Sequence, residues 1–292
     1  MITTPYVVRL DQDDINLPRR IEEQIDYLEN NPNISIVCSW EHTIDPKGRK
    51  TRDWKKTIEN YGEFLGPVLL GLCPIWHPSI AFRTDAMIDV GGFNSRYVRA
   101  EDFEVTTRLA LKRHDAAIVP KFHLLQRHHS QSQSAEFNHE QADMSKRIQK
   151  EAIGEFINVS DAEKLAAFLR LENTNLNQAF NKKHIVHMYD LLIKMFENVA
   201  QKQELDSDEL HSFKKTIFKR IGLGVYCIPV YKYLPSFLFM PFFYLLSPLF
   251  SNSLHKKFSR IYNFLHELKY KIKLKYAAPK SLLYWFTSKI RI

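Results

Sequence analysis

The sequence has only three cysteines among its 292 residues, Cys38, Cys73 and Cys227. Their wide spacing provides no CxxC pair and no framework of disulfides, which excludes the small disulfide-rich secreted class of protein. The N-terminus also lacks a basic segment followed by a cleavable apolar stretch, so we expect no signal peptide. The cysteine pattern therefore predicts a reducing compartment.

Acidic residues are nearly missing from the last quarter of the chain. From Lys214 to the end there are fifteen Lys and Arg residues but a single acid, Glu267, which gives this segment a net charge of +14. Because the whole chain carries +8, the preceding part carries −6. The acidic N-terminal part and the basic C-terminal part are therefore predicted to have different partners.

Three carboxylates occur within four positions near the N-terminus. The β-branched Val7 and Val8 read as a buried strand, and Asp11, Asp13 and Asp14 follow it directly. They would lie at the C-terminal end of the strand, where open α/β sheets bind their ligands. Three carboxylates so close together repel one another. A bound divalent cation would offset this repulsion, since hard cations prefer oxygen ligands. An exposed acidic turn that caps the following helix is the alternative.

Strands and helices alternate over the first half of the chain. Apolar runs predict strands at 7–10, 34–38, 79–83 and 119–125. Helical periodicity predicts one helix that begins at Asn16 or Leu17 and further helices at 57–72, 85–90 and 103–113. This alternation predicts an α/β fold with a mostly parallel sheet.

Five short motifs follow one another in a recognisable order. They are residues 9–14 (RLDQDD), 77–79 (HPS), 91–93 (GGF), 100–103 (AEDF) and 127–129 (RHH). Together they resemble glycosyltransferase family 2, over roughly residues 5–135. The resemblance implies a Rossmann-like GT-A fold and an inverting transfer of a sugar from a nucleotide-diphosphate donor to an acceptor hydroxyl.

The resemblance also implies a set of phosphate- and metal-binding residues. Asp13, helped by Asp11, would bind Mn²⁺ or Mg²⁺, which stabilises the diphosphate leaving group as a Lewis acid. His129 matches a position that can reach the metal, and a neutral imidazole is a suitable third ligand. Arg127 either neutralises phosphate oxygens or solvates a loop. Asp14 either supports the metal ligands from behind or caps the next helix.

Asp102 matches the catalytic base of the family. A carboxylate at this point would accept the proton of the attacking hydroxyl. Its predicted place at the start of a helix would favour the ionised form. Without the resemblance, Glu101 and Asp102 would be interpreted as acidic residues that stabilise the N-terminus of a helix.

The sequence departs from the family at its front. A GT-A domain normally begins with two or three βα units that hold the nucleotide base and ribose. This chain starts at the strand just before the carboxylate motif, so residues 1–143 are expected to form a truncated GT-A domain. The alternative to an active enzyme is therefore a catalytically inactive remnant that serves as a binding or interaction module.

Two further regions follow the truncated domain. Residues 144–213 are expected to form a helical extension, and residues 214–292 a basic, apolar tail. The uncharged, aromatic-rich run 233–254 is interrupted by Pro235, Pro241 and Pro248, which disfavour a continuous helix.

The composition of the tail predicts an anchor that lies peripherally on the inner face of the cytoplasmic membrane. The alternatives are a packed helical bundle and, ranked last, binding of nucleic acid. Such an anchor would suit synthesis of a surface polysaccharide or a lipid-linked glycan.

Overall fold

A computed structural model describes residues 2–128, 138–170 and 182–221. The strands are β1 Tyr6–Val8, β2 Ile15–Asn16, β3 Ile34–Ile44, β4 Lys50–Trp54, β5 Ala81–Arg83 and β6 Asp115–Arg127. The helices are α1 Arg20–Asn30, α2 Tyr61–Leu69, α3 Thr84–Asp89, α4 Glu101–Leu111, α5 Asn138–Gly154, α6 Val159–Arg170, α7 Lys182–Lys202 and α8 Ser207–Ile221. His129 and the tail beyond residue 221 lie outside the described residues.

The six strands form one sheet of order β1-β5-β3-β6-β2, and β4 pairs with the far part of β3. The α/β class is confirmed, but the expectation of mostly parallel neighbours is wrong. β1, β3 and β6 share one direction, yet among the described pairings only β3 and β6 are parallel neighbours, because β5 enters antiparallel between β1 and β3. Strand direction depends on the connections, which apolar periodicity does not reveal.

β1 lies at an edge of the sheet as far as the structure describes it. Its residues Tyr6–Val8 are therefore half-buried, not buried as the apolar run predicted, and Leu10 just beyond is 48% exposed. An edge strand presents unpaired backbone groups, which is why such strands tend to associate.

The helix after the carboxylates begins later than predicted and buries two polar side chains. Asn16 pairs with Leu124 in the sheet, and α1 starts only at Arg20. Its buried residues include Arg20 and Gln24, whereas Ile21 is 55% exposed. The polar side chains face inward because they hydrogen-bond to neighbouring backbone, which apolar periodicity cannot reveal.

The helical extension packs directly on the α/β part. α8 crosses α2 so closely that a Cβ on Gly62 would lie 1.9 Å from the carbonyl oxygen of Glu209. The carboxylate of Glu209 also accepts two hydrogen bonds from Arg113, at 2.8 and 2.9 Å. Within the described residues, no helix combines the length and apolarity that crossing a membrane requires.

Candidate functional site

The carboxylate loop, residues 9–14, leaves β1 at its C-terminal end and turns back on itself. The backbone N–H of Asp14 donates to the carbonyl oxygen of Asp11 at 3.3 Å. Asp11 is half-buried and Asp13 is exposed. The loop thus presents two acidic side chains at the end of the sheet that the sequence pattern predicted.

The antiparallel pairing of β1 with β5 brings a second motif to this loop. The end of β1 lies beside the start of β5, and a short 3₁₀ turn, His77–Ser79, precedes β5. Arg9 bridges the two segments, since its Nη1 lies 3.0 Å from Nε2 of His77 and also contacts Nδ1. The Nε of Arg9 donates to Oδ1 of Asp11 at 2.9 Å.

Asp102 lies in the first turn of α4, on the other side of His77. Its Oδ1 accepts a hydrogen bond from the backbone N–H of Phe103 at 2.7 Å, and its Oδ2 lies 4.0 Å from Nδ1 of His77. Asp102, His77, Arg9 and Asp11 therefore form a continuous row of side chains. The row joins the predicted base to the predicted metal-binding loop, although 91 sequence positions separate Asp11 from Asp102.

The charge states along this row follow from burial. Burial, reinforced by the charge of Arg9, lowers the pKa of His77 to about 3, so its imidazole is neutral at physiological pH. Burial raises the pKa of Asp102, and this effect outweighs the backbone N–H of Phe103, which lowers it. The helix start does favour the ionised form of Asp102, as expected, through the hydrogen bond from Phe103. The expectation is wrong for the net effect, because burial raises the pKa of Asp102.

A buried arginine holds the segments of the site together. Arg20 is 1% exposed and donates to the carbonyl oxygen of Arg9 at 2.7 Å, to Gln24 at 3.0 Å and to Asn16. Gln24 in turn donates to the carbonyl oxygen of Ser79 at 2.7 Å. Helix α1 is thereby tied both to the carboxylate loop and to the His77 turn.

Asp14 and Arg127 contact each other at the end of β6. Oδ1 of Asp14 accepts from the backbone N–H of Arg127 at 2.9 Å, so Asp14 does not cap α1. The guanidinium of Arg127 donates to the carbonyl oxygens of Asp13 at 3.2 Å, Asp45 at 3.3 Å and Pro46 at 3.2 Å. Arg127 therefore fastens the carboxylate loop to a neighbouring turn, and its contact with phosphate stays a prediction.

Glu41 is a buried acid behind the carboxylate loop that the sequence reasoning missed. It lies fully buried in β3, and within the described part of the chain neither carboxylate oxygen has a hydrogen bond of good geometry. Burial, followed by the nearby charge of Asp14, raises its pKa to about 8, while Arg20 and Trp76 lower it. The available signal was that Glu41 is the single acidic residue of β3.

The stability of the protein is expected to fall with rising pH partly because of Glu41. The folded state retains this proton to about pH 8, whereas the ordinary pKa is 4.5. Its contribution is therefore fully present below the lower value and is lost as the pH rises through the higher one. Glu41→Gln should reduce the fall in the free energy of unfolding between these two pH values by up to about 1.4 kcal/mol per pH unit.

Urea unfolding across this pH range measures the effect. Glu29→Gln on the exposed side of α1 is the matched control and should keep the wild-type slope. Equal slopes for the wild type and Glu41→Gln would contradict the assignment.

The metal prediction rests on the chemistry of the donors. Within the described residues, no group of three or more His, Cys, Asp or Glu side chains gathers in a metal-binding arrangement, and the third predicted ligand, His129, lies outside them. Asp11 and Asp13 offer carboxylate oxygens from one turn, and the Oδ2 atom of Asp14 is buried there without a hydrogen-bond partner in the described part. An oxygen donor set fits a hard divalent cation.

Comparisons with known proteins match part of the chain to glycosyltransferases. The model of the family described as glycosyl transferase family 2 matches residues 1–90. An uncharacterised glycosyltransferase of Methanocaldococcus jannaschii is 27% identical over 117 residues, which are 40% of this chain and 40% of that protein. The amylovoran biosynthesis glycosyltransferase AmsE of Erwinia amylovora is 27% identical over 118 residues, 40% of this chain and 43% of that protein.

A further relative acts on a lipid-linked sugar according to its name. It is the UDP-Gal:alpha-D-GlcNAc-diphosphoundecaprenol beta-1,3-galactosyltransferase of Escherichia coli, 29% identical over 97 residues, 32% of this chain and 33% of that protein. The chain spans less than half the length of each of these three relatives. Among solved structures, TarS of S. aureus matches with a TM-score of 0.38 and 11% identity, covering 75% of this chain and 39% of that one, a likeness too low to support an argument.

Proposed function

We propose that the protein transfers a sugar from a nucleotide-diphosphate donor to an acceptor hydroxyl with inversion, because the model of glycosyl transferase family 2 matches residues 1–90. The observation that carries the proposal is the row Asp102–His77–Arg9–Asp11. It joins a half-buried carboxylate to an acidic loop at the end of the sheet. The reaction needs these two elements, one for the acceptor proton and one for the leaving group.

Asp102 acts as the base in this proposal. Its carboxylate takes the proton of the acceptor hydroxyl as that oxygen attacks the anomeric carbon, and the bond from that carbon to the diphosphate breaks. Burial raises the pKa of Asp102, which makes the ionised form a stronger proton acceptor. A single displacement from the face opposite the leaving group inverts the anomeric centre.

His77 and Arg9 set the surroundings of that base. The imidazole is neutral, so it packs beside Asp102 without adding a positive charge that would weaken the base. The guanidinium of Arg9 supplies positive charge one residue further away, next to Asp11. The charge of Arg9 also lowers the pKa of Asp102, but burial outweighs it and the net shift is upward.

Asp11, Asp13 and His129 would hold a divalent Mn²⁺ or Mg²⁺ ion. When bound, such an ion neutralises charge on the departing diphosphate. Arg127 would add positive charge beside the same loop, because its guanidinium contacts the carbonyl oxygen of Asp13. Two hydrogen bonds hold the carboxylate loop in place. Asp14 accepts one from the backbone of Arg127, and Arg20 donates the other to the carbonyl oxygen of Arg9.

A transfer assay on the full-length protein tests the proposal. The protein is incubated with a panel of UDP-, GDP- and TDP-sugars, Mn²⁺ and a lipid extract that contains lipid-linked glycans. We expect the nucleoside diphosphate to be released only when acceptor is present, with inverted anomeric configuration in the product. Absence of turnover with every donor would favour the alternative of a binding module without activity.

We further propose a glycan or lipid-linked acceptor and a peripheral position on the inner face of the cytoplasmic membrane. The net charge of +14 from Lys214 onward supports this, since each Lys or Arg near an anionic leaflet contributes roughly 1 kcal/mol. The aromatic run within 233–254 would add apolar burial.

Liposome flotation checks the membrane proposal. The protein should float with anionic vesicles at low salt and be partly released at high salt. A truncation after Ile221 keeps α8, which packs on α2, and should lose flotation. Resistance to both salt and carbonate would contradict peripheral attachment, and absence of flotation would contradict membrane binding.

A further inference from the structure

Phe93 is an exposed aromatic residue beside the predicted base. Its side chain is 49% exposed, although a ring of this size usually buries most of its surface. The rings of Phe93 and His77 stand nearly perpendicular to each other, with ring centroids 6.1 Å apart. Since Nδ1 of His77 also lies 4.0 Å from Oδ2 of Asp102, the imidazole of His77 connects the half-exposed ring of Phe93 to the predicted base.

The loop that carries Phe93 is held by the same helix that carries Asp102. Gly91 and Gly92 adopt positive φ angles of 78° and 69°, which end α3 and turn the chain. Arg108 on α4 donates to the carbonyl oxygens of Val90 and Gly92, the latter at 2.6 Å. The guanidinium also pairs with Glu104, one turn earlier on α4, at 2.6 and 2.7 Å.

This arrangement restrains the Phe93 loop, while about half of the Phe93 side chain stays exposed among the described residues. Single exposed apolar side chains are common on protein surfaces and need no special cause. Phe93 differs because a partly buried ion pair of α4 anchors its loop and because its ring contacts the row of side chains that leads to Asp102. Ordering a contact surface in advance lowers the entropic cost of binding a ligand there.

We propose that Phe93 is the platform on which the acceptor sugar ring stacks, an inference that rests on the proposed glycosyl transfer. A hexose ring has an apolar C–H face and a polar hydroxyl rim, and ligand sites commonly pair an aromatic wall with a few polar groups. Stacking on Phe93 would direct a hydroxyl of that rim toward Asp102. The contact is made by the acceptor, so binding of the donor does not depend on it.

Three substitutions at Phe93 test the platform in the full-length protein. Phe93→Ala should raise the KM for the acceptor by about tenfold, equivalent to roughly 1.4 kcal/mol, with the KM for the donor unchanged. Phe93→Tyr keeps the aromatic face and should behave like the wild type, and Phe93→Leu should resemble the alanine variant. Ile88→Ala on α3 removes another exposed apolar side chain, 70% exposed, and is the control.

The outcomes separate this inference from the proposed function. If transfer occurs, an unchanged acceptor KM in Phe93→Ala, or a leucine variant as good as the tyrosine one, would overturn the platform. If no donor gives transfer, the proposed function fails, and binding of the methyl glycosides of glucose, galactose and N-acetylglucosamine is measured by saturation-transfer NMR. Binding that is lost in Phe93→Ala and kept in Phe93→Tyr supports the platform; absence of binding, or any other pattern among these variants, overturns it.

Discussion

Asp102→Asn is expected to leave donor binding intact while sugar transfer falls by about a hundredfold or more, the usual scale for loss of a general base. The amide is nearly isosteric with the carboxylate, so the backbone contact to Phe103 and the packing against His77 should persist. What it loses is the ability to take a proton from the acceptor. Initial rates of transfer and calorimetric binding of the nucleoside diphosphate measure the two effects separately.

Asp85→Asn provides a close control for that change. Asp85 lies in the first turn of α3 and contacts the next backbone N–H at 2.7 Å, the same distance as in Asp102. If Asp102 only caps a helix start, the two variants should behave alike.

The pH profile gives a second readout for Asp102. Transfer should decline as the pH falls through the pKa of Asp102, which burial raises above its ordinary value of 3.8. The asparagine variant should lack this acid limb, and a limb that persists unchanged would argue against Asp102 as the base.

The double variant Asp11→Asn, Asp13→Asn is expected to abolish metal-dependent nucleotide binding in the full-length protein. Amide oxygens carry no charge, so the loop would lose the attraction that offsets dehydration of a divalent ion. Loss of affinity for UDP in the presence of Mn²⁺ should be about a hundredfold or more, beyond the effect of removing a supporting hydrogen bond. Calorimetric titrations with and without Mn²⁺ measure it.

The two single variants show how much of the lost nucleotide affinity is due to each aspartate, and a third variant serves as a charge control. Asp13→Asn should account for most of the loss of affinity, because the carboxylate of Asp11 already pairs with Arg9 and is therefore less available to the metal. Asp26→Asn on the exposed side of α1 removes an equal charge and should bind as the wild type does. If the double variant binds with unchanged affinity, the carboxylate loop has no role in metal binding.

Much of the candidate site was predictable because its members lie in short motifs. The order of the carboxylate loop, the HPS turn, the Gly-Gly pair and the Glu-Asp pair indicated a resemblance to glycosyltransferase family 2, and the model of that family matches residues 1–90. The same order predicted that Asp102 would begin a helix, and α4 starts at Glu101. The assignments of base and metal ligands stay predictions.

The supporting residues were not predictable from pattern. Arg20 and Glu41 are charged residues in a helix and a strand, and such residues are usually placed on the exposed face. Arg20 is buried because four backbone and side-chain acceptors surround its guanidinium. Glu41 is buried with a raised pKa, at a cost in stability that no local pattern records.

The sequence by itself determined the similarity of residues 1–90 to glycosyltransferase family 2, the α/β class and the location of the acidic loop after a strand, because each depends on residues adjacent along the chain. Only the tertiary structure decided that β5 enters the sheet antiparallel to β1. That pairing places His77 against Arg9 and aligns Asp102 with Asp11. The physical reason is that pairing between distant strands is set by the connections and by total burial, and neither is encoded in the periodicity of a single segment.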